Sequence, residues 1–217
     1  MTTTSTLTNL REVGGAGFQR GRTRTVLRAN TEALPASVYP ASLATVVDLR
    51  RDDEIAAVEH PLRSLPGYRR VPLFDPSVSE AAADAISLED QYTDWLWRHR
   101  ATIAEVFRAI AAAAPGDVLV CCSAGKDRTG VVSMLLARLW GADLDRIGAD
   151  YAETGPRLAD RFAREREESQ DLERTTTMQR CVPETAVHVV RHVESEFGSV
   201  TDYLRAIGLT DDEIDGL

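Results

Sequence analysis

Cys122 and Arg128 stand six positions apart in the run Val118-Leu119-Val120-Cys121-Cys122-Ser123-Ala124-Gly125-Lys126-Asp127-Arg128-Thr129, and a thiol and a guanidinium so spaced can bracket a phosphate. What flanks them sets that geometry. Pro115-Gly116-Asp117 is a turn signal, and Val118 to Cys121 is a short apolar run of the kind that forms a buried parallel strand. Downstream, Val131, Val132, Leu135, Leu136 and Leu139 recur at helical spacing, with Gly141 as the stop. A strand therefore leads through a loop into a helix N-terminus, where unpaired amides carry partial positive charge and stabilise an anion. In that field, and near an arginine, Cys122 is expected as a thiolate, the nucleophilic form. Arg128 can present a planar fork of donors to two phosphoryl oxygens. The amides from Ser123 through Ala124, Gly125 and Lys126 would line the cradle, with Gly125 closing the turn without a side chain. The Thr129 hydroxyl is placed to donate to the cysteine sulfur.

With the neighbouring residues included, Cys122 to Gly130 resembles the C-x5-R loop of the cysteine-dependent phosphatases. The wording G-K-D-R-T-G is similar to the bacterial tyrosine-phosphatase-like family. Asn9-Leu10-Arg11-Glu12-Val13-Gly14-Gly15 resembles that family's N-x-R-D-x-G-G signature, with Glu12 for the aspartate. Asp48-Leu49-Arg50 is similar to its D-L-R strand end, and Phe197-Gly198-Ser199-Val200 with Tyr203-Leu204 to its C-terminal helix pair. The resemblance implies a phosphocysteine intermediate and action on phosphotyrosine, with dual-specificity or phosphoinositide activity beside it. The substrate would be a phosphoprotein or a phosphoinositide, and inorganic phosphate a product or inhibitor. Lys126 would add a second positive charge at the mouth. One acid must protonate the leaving oxygen, and both Asp127, inside the cradle, and Asp75, on an upstream loop, are candidates, with Asp127 favoured. Asp48, at a strand's C-terminal end, is expected to hold the Arg128 guanidinium. The family's histidine before the nucleophile is replaced by Cys121, read as a small hydrophobe pointing into the sheet in preference to a partner in a reversible disulfide with another thiol. A phosphate-binding pseudophosphatase and an arsenate-reductase or rhodanese-like cysteine enzyme stand as alternatives.

These residues need a scaffold. With 217 residues, 43% hydrophobic and 27% charged, the chain suits one domain over 1–217. The expected architecture is α/β, a mainly parallel central sheet of about four strands with helices on both faces. Strands are expected at Arg24 to Arg28, Ala44 to Leu49 and Tyr68 to Leu73, besides the one ending at the cysteines. Helices are expected over Ser77 to Leu88, from Gln91 to Pro115, over Asp143 to Glu153, and after Pro183. Residues 1–8 read as a disordered lead. The charge-dense stretch within 156–180 reads either as a lid or as a plain solvated helix. Trp95 and Trp97 fall on different faces, one for the core and one free to meet substrate or lid. Arg50, Arg51, Asp52, Asp53 and Glu54 read as a self-compensated helix start.

A net charge of −9 argues against nucleic-acid binding. No stretch reaches the length of a membrane span, and the N-terminus lacks a secretory pattern. Three cysteines, two of them adjacent, do not make a disulfide framework. A reducing, cytoplasmic setting is expected, with non-classical secretion left open. His188 and His192, four apart on a helix, lack a third ligand, so no metal and no cofactor are expected.

Overall fold

The computed structural model describes residues 7–74 and 87–217. Among them, β1 (Arg11–Glu12), β2 (Val26–Asn30), β3 (Leu43–Asp48), β4 (Tyr68–Arg70) and β5 (Asp117–Cys122) form one sheet in the order β1-β2-β5-β3-β4. Four of these strands run parallel, as expected, and β1 adds a short antiparallel edge, Arg11 opposite Arg28. β5 therefore lies between β2 and β3, and in its interior Val118, Leu119, Val120 and Cys121 are fully buried. Such a near-continuous apolar run is what a parallel strand covered on both faces requires.

Side chains along β5 alternate between two cores. Val118, Val120 and Cys122 join the larger cluster, whereas Leu119 and Cys121 join a smaller one with Leu7, Ala29, Tyr39, Leu43 and Val46. A strand's period of two thus separates adjacent cysteines onto opposite faces. Cys121 is the small hydrophobe expected, and burial pushes its thiol well above the ordinary value.

The larger face is covered by helices. α1 (Asp52–Ala57) follows β3, α2 (Leu88–Arg98) and α3 (Arg100–Ala111) precede β5, and α4 (Asp127–Leu139) follows it. Then come α5 (Leu144–Ala152), α6 (Thr154–Arg157), α7 (Ala159–Glu167), α8 (Leu172–Met178), α9 (Pro183–Phe197), α10 (Val200–Ala206) and α11 (Asp211–Asp215). α4 is apolar around most of its circumference because α5, α9 and α10 all pack on it. The smaller face departs from the expectation of helices on both sides. Turns and a short 3-10 helix, Ala36–Val38, cover it, with Leu34, Val38, Leu62 and Leu65 packed against its core.

Other differences are local. The helical periodicity from Gln91 to Pro115 is two helices, α2 and α3, broken at His99. The charge-dense stretch within 156–180, expected as a lid or a solvated helix, is broken into α6, α7 and α8, and Phe162 of α7 is buried. Trp95 is buried on Phe74, while Trp97 is 60% exposed and packs on Phe197 and Arg100. The helix expected over Ser77 to Leu88 lies, up to residue 86, outside the described residues, as does Asp75. α2 opens at Leu88 on the Ser87 side chain, which accepts the Asp90 amide at 3.1 Å.

Candidate active site

β5 ends at Cys122 and α4 begins at Asp127, leaving Ser123 to Lys126 as the connecting loop. Its tight turn depends on Gly125, at φ +68°, where a Cβ would stand 2.4 Å from the Ala29 carbonyl oxygen. The loop's carbonyls are held from outside. Ser123 O accepts from Thr31 N at 3.1 Å and from Arg161 Nη1 at 3.0 Å. Ala124 O and Gly125 O accept from Asn9 Nδ2 at 3.0 and 3.1 Å, and Gly125 O also from Arg28 Nη2 at 2.9 Å. In a trans peptide the amide points opposite to its carbonyl, so carbonyls fixed outward turn the following amides inward. The Gly125 amide accordingly donates to Cys122 Sγ at 3.2 Å. Cys122 is 2% exposed. The expected Thr129 contact is not formed: its hydroxyl is buried and has no partner among the described residues.

The N-terminal signature explains itself in these contacts. Asn9 ties the loop directly, and Arg11 donates to Asp150 Oδ1 at 2.7 Å, to Asp150 O at 2.8 Å and to Thr154 Oγ1 at 2.9 Å. Asp150 also receives Arg28 at 3.0 Å, so one buried carboxylate holds two buried guanidiniums behind the loop. Burial would raise its carboxyl, but the Arg28 and Arg11 charges hold it below the ordinary carboxylate value.

Arg128 reaches Glu54, not Asp48. Both terminal guanidinium nitrogens meet the Glu54 carboxylate at 2.6 Å, and Nη1 also reaches Leu49 O at 3.4 Å. Among the described residues this leaves Nε–H and one Nη2–H, a side-on fork suited to two phosphoryl oxygens. The Arg128 guanidinium also lies over the Phe74 ring. Glu54 is itself fixed as the third residue of α1, accepting the Arg51 amide at 3.0 Å. Asp48 is wholly buried and occupied elsewhere. It takes Arg50 through both oxygens, at 3.0 and 2.8 Å, and Tyr68 Oη at 2.8 Å. Asp48 lies opposite Cys121 in the ladder and shares its face of the sheet, whereas Arg128 rises from α4.

Lys126 also differs from expectation. It is 2% exposed rather than standing at the mouth, and its Nζ donates to Asp127 Oδ1 at 2.7 Å and to Met178 O at 2.8 Å. Asp127, in the first turn of α4, keeps 35% of its side chain exposed and also accepts from Tyr92 Oη at 2.5 Å. Burial would raise the Asp127 carboxyl, but the Lys126 charge and hydrogen bonds from Lys126 and Tyr92 hold it low. Asp127 and Arg128 share a cleft of about 280 Å³ with Phe74, Leu88, Trp95 and Met178.

Glu54, Tyr92, Arg28, Asp150 and Arg161 escaped the sequence reading. Only Glu54 carried a signal, an acid three residues past a basic N-cap after the D-L-R strand end. Cys181 is half-buried, its thiol raised by burial to about 11. His188 and His192 lie along a groove between α5 and α9, and no group of three or more metal-ligating side chains occurs among the described residues. No helix among them is long and apolar enough to cross a membrane.

The sequence is similar to known proteins. The chain is 30% identical over 141 residues to a tyrosine-protein phosphatase of Nostoc commune, an alignment covering 60% of this chain and 48% of that protein. It is 31% identical over 176 residues to a protein of Cupriavidus necator named "Putative tyrosine-protein phosphatase", covering 71% of this chain and 63% of that one. These alignments span about half of the one relative and under two thirds of the other. The model of the tyrosine phosphatase family matches residues 2–217, nearly every residue, and the chain belongs to that family.

Proposed function

We propose that this protein hydrolyses phosphate monoesters, phosphotyrosine first among them, through a phosphocysteine intermediate on Cys122. The observation that carries the reading is the Gly125 amide donating to the Cys122 sulfur, beside an Arg128 whose outer fork is left for an anion. The Cys122 thiolate attacks phosphorus, the S–P bond forms and the ester P–O bond breaks. The loop amides and Arg128 hold the equatorial oxygens as charge shifts onto them. Asp127 gives its proton to the departing oxygen, then as carboxylate takes one from the water that attacks phosphorus and breaks the S–P bond. Alcohol and inorganic phosphate leave, the thiolate is restored, and no electron changes hands. No step calls on a metal.

Ionised Asp127 in the free protein fits this sequence. A bound phosphate dianion adds negative charge beside the carboxyl, which raises its proton affinity and loads the acid when substrate arrives.

Beside its polar lining by Gln91, Asp94, Arg98, His99 and Arg174, the cleft carries an aromatic and apolar side, Phe74, Leu88, Trp95 and Met178, that suits an aryl phosphate. Lys126 is buried, so its charge does not stand at the mouth, where a phosphoinositide preference would need it. α7 and α8, read as cover for the site, reach it through Arg161 on Ser123 and through the Met178 carbonyl on Lys126.

Release of phosphate from phosphotyrosine peptide, phosphoserine peptide and a phosphoinositide, in chelator, tests the reading. Wild type should favour the first, and Cys122→Ser should lose all three. A pseudophosphatase would release none. Arsenate reductase or thiosulfate sulfurtransferase activity in their place would overturn the proposal.

A further inference from the structure

Asp127 receives every hydrogen bond it has among the described residues on one oxygen. Lys126 Nζ stands 2.7 Å from Oδ1, and Tyr92 Oη, from α2, stands 2.5 Å from the same atom. Tyr92 is wholly buried, and behind it Tyr151, from α5, stands 2.9 Å away, hydroxyl to hydroxyl. A phenol has one proton. The Tyr92 proton is committed to the Asp127 carboxylate, so Tyr151 must donate to Tyr92, and the two form an ordered chain ending on Oδ1. Chains of this kind polarise one another and strengthen the terminal bond. Lys126 also touches Tyr92 Oη, at 3.4 Å, which closes the group.

We propose that Tyr92, backed by Tyr151, is a positioning residue for the Asp127 acid, gripping Oδ1 so that Oδ2 carries the proton to and from the reacting oxygens. The inference rests on the assignment of Asp127 in the proposed function. It supplies a reason for two buried phenols that packing alone does not give, since phenylalanine would fill the same volume. Tyr92 packs by its ring on Trp95 and Tyr151, contacts that need no hydroxyl. Neither tyrosine lies in the C-x5-R loop, so α2 and α5 tune a residue of the loop from outside it.

The charged and titratable groups facing Asp127 are Lys126 from the loop, Arg128 on its own helix, Tyr92 from α2, Tyr151 from α5 and the Cys181 thiol ahead of α9, with Asp94 and Arg98 of α2, His99 between α2 and α3 and Arg174 of α8 lining the same cleft. Lys126 and Arg128 remain charged across the working range. Losing the Tyr92 donor therefore leaves the carboxylate less stabilised, and the acid stays protonated to higher pH.

The test is the pH profile of kcat for Tyr92→Phe, Tyr151→Phe and Asp127→Asn on phenyl phosphate and on an activated dinitrophenyl phosphate. The alkaline limb for Tyr92→Phe should move up by about one pH unit, with kcat on phenyl phosphate down about tenfold and little change on the activated ester. Tyr151→Phe should move the same limb by less. Vanadate binding reports whether each variant keeps its cradle. If both variants bind vanadate as wild type does and keep the wild-type limb, the proposal is overturned; should Tyr92→Phe fail to fold, Tyr151→Phe decides alone. A different failure marks the underlying assignment: Asp127→Asn would then lose no more on phenyl phosphate than on the activated ester.

Discussion

Glu54 holds both terminal nitrogens of Arg128 at 2.6 Å, from the first turn of α1 and across the mouth of the loop. The pair orients a side chain with several rotatable bonds, and it is 19% and 11% exposed, too enclosed for easy exchange with solvent. Its loss frees the arginine to leave the geometry in which its outer fork faces phosphate.

Glu54→Ala should therefore lower kcat/KM on an aryl phosphate by about 10- to 100-fold, the scale of an ångström-sized misplacement. Glu54→Gln, which keeps one acceptor, should lose less. Steady-state kinetics of the two variants, with Glu59→Ala as an exposed control just past the end of α1, checks this.

Gly125 offers a steric test. An alanine there must adopt φ near +68° and place its Cβ against Ala29 O and Asn30 N, at 2.4 and 2.7 Å. The strain of such a conformation is about 1–3 kcal/mol, and the backbone clash adds to it. Gly125→Ala should lower the urea midpoint and abolish phosphate binding together, as measured by denaturation and by isothermal titration.

Asp150 ties stability to pH. Its folded carboxyl is held below the unfolded value by the Arg28 and Arg11 charges, so the stability it contributes is complete above the unfolded value of about 3.9 and is lost as pH falls through the folded one. Asp150→Asn leaves two buried guanidiniums without their counter-charge and should cost about 3–5 kcal/mol near neutrality. The gap between wild type and variant should narrow at about pH 3. Denaturation curves at the two pH values measure it.

The loop itself was legible in sequence because its residues are contiguous: a strand pattern, a C-x5-R spacing and a helix pattern lie in one stretch from Val118 to Leu139. β3 and β5 were legible as apolar runs for the same local reason, while β2, expected at Arg24 to Arg28, runs two residues later, Val26–Asn30. What surrounds the loop was not. Glu54 follows arginines and aspartates and reads as solvent-facing charge until α1 turns it toward Arg128. Tyr92 and Tyr151 lie 59 residues apart and meet only because α2 and α5 converge. Asp48 and Lys126 were misplaced because spacing says nothing of which side of a sheet a strand-end carboxylate takes, nor whether a loop lysine turns outward or under. The N-terminal signature was recognised as a pattern, but its work, Asn9 on two loop carbonyls and Arg11 on Asp150, requires the sheet edge that brings β1 beside β2.

The most direct trial is to quench the protein during turnover of phosphotyrosine peptide and map the phosphoryl group by mass spectrometry. Phosphate on the Cys122 peptide of wild type, absent from Cys122→Ser along with turnover, is the expected result. Undiminished turnover by Cys122→Ser, or a phosphoryl group trapped on another residue instead, would contradict it.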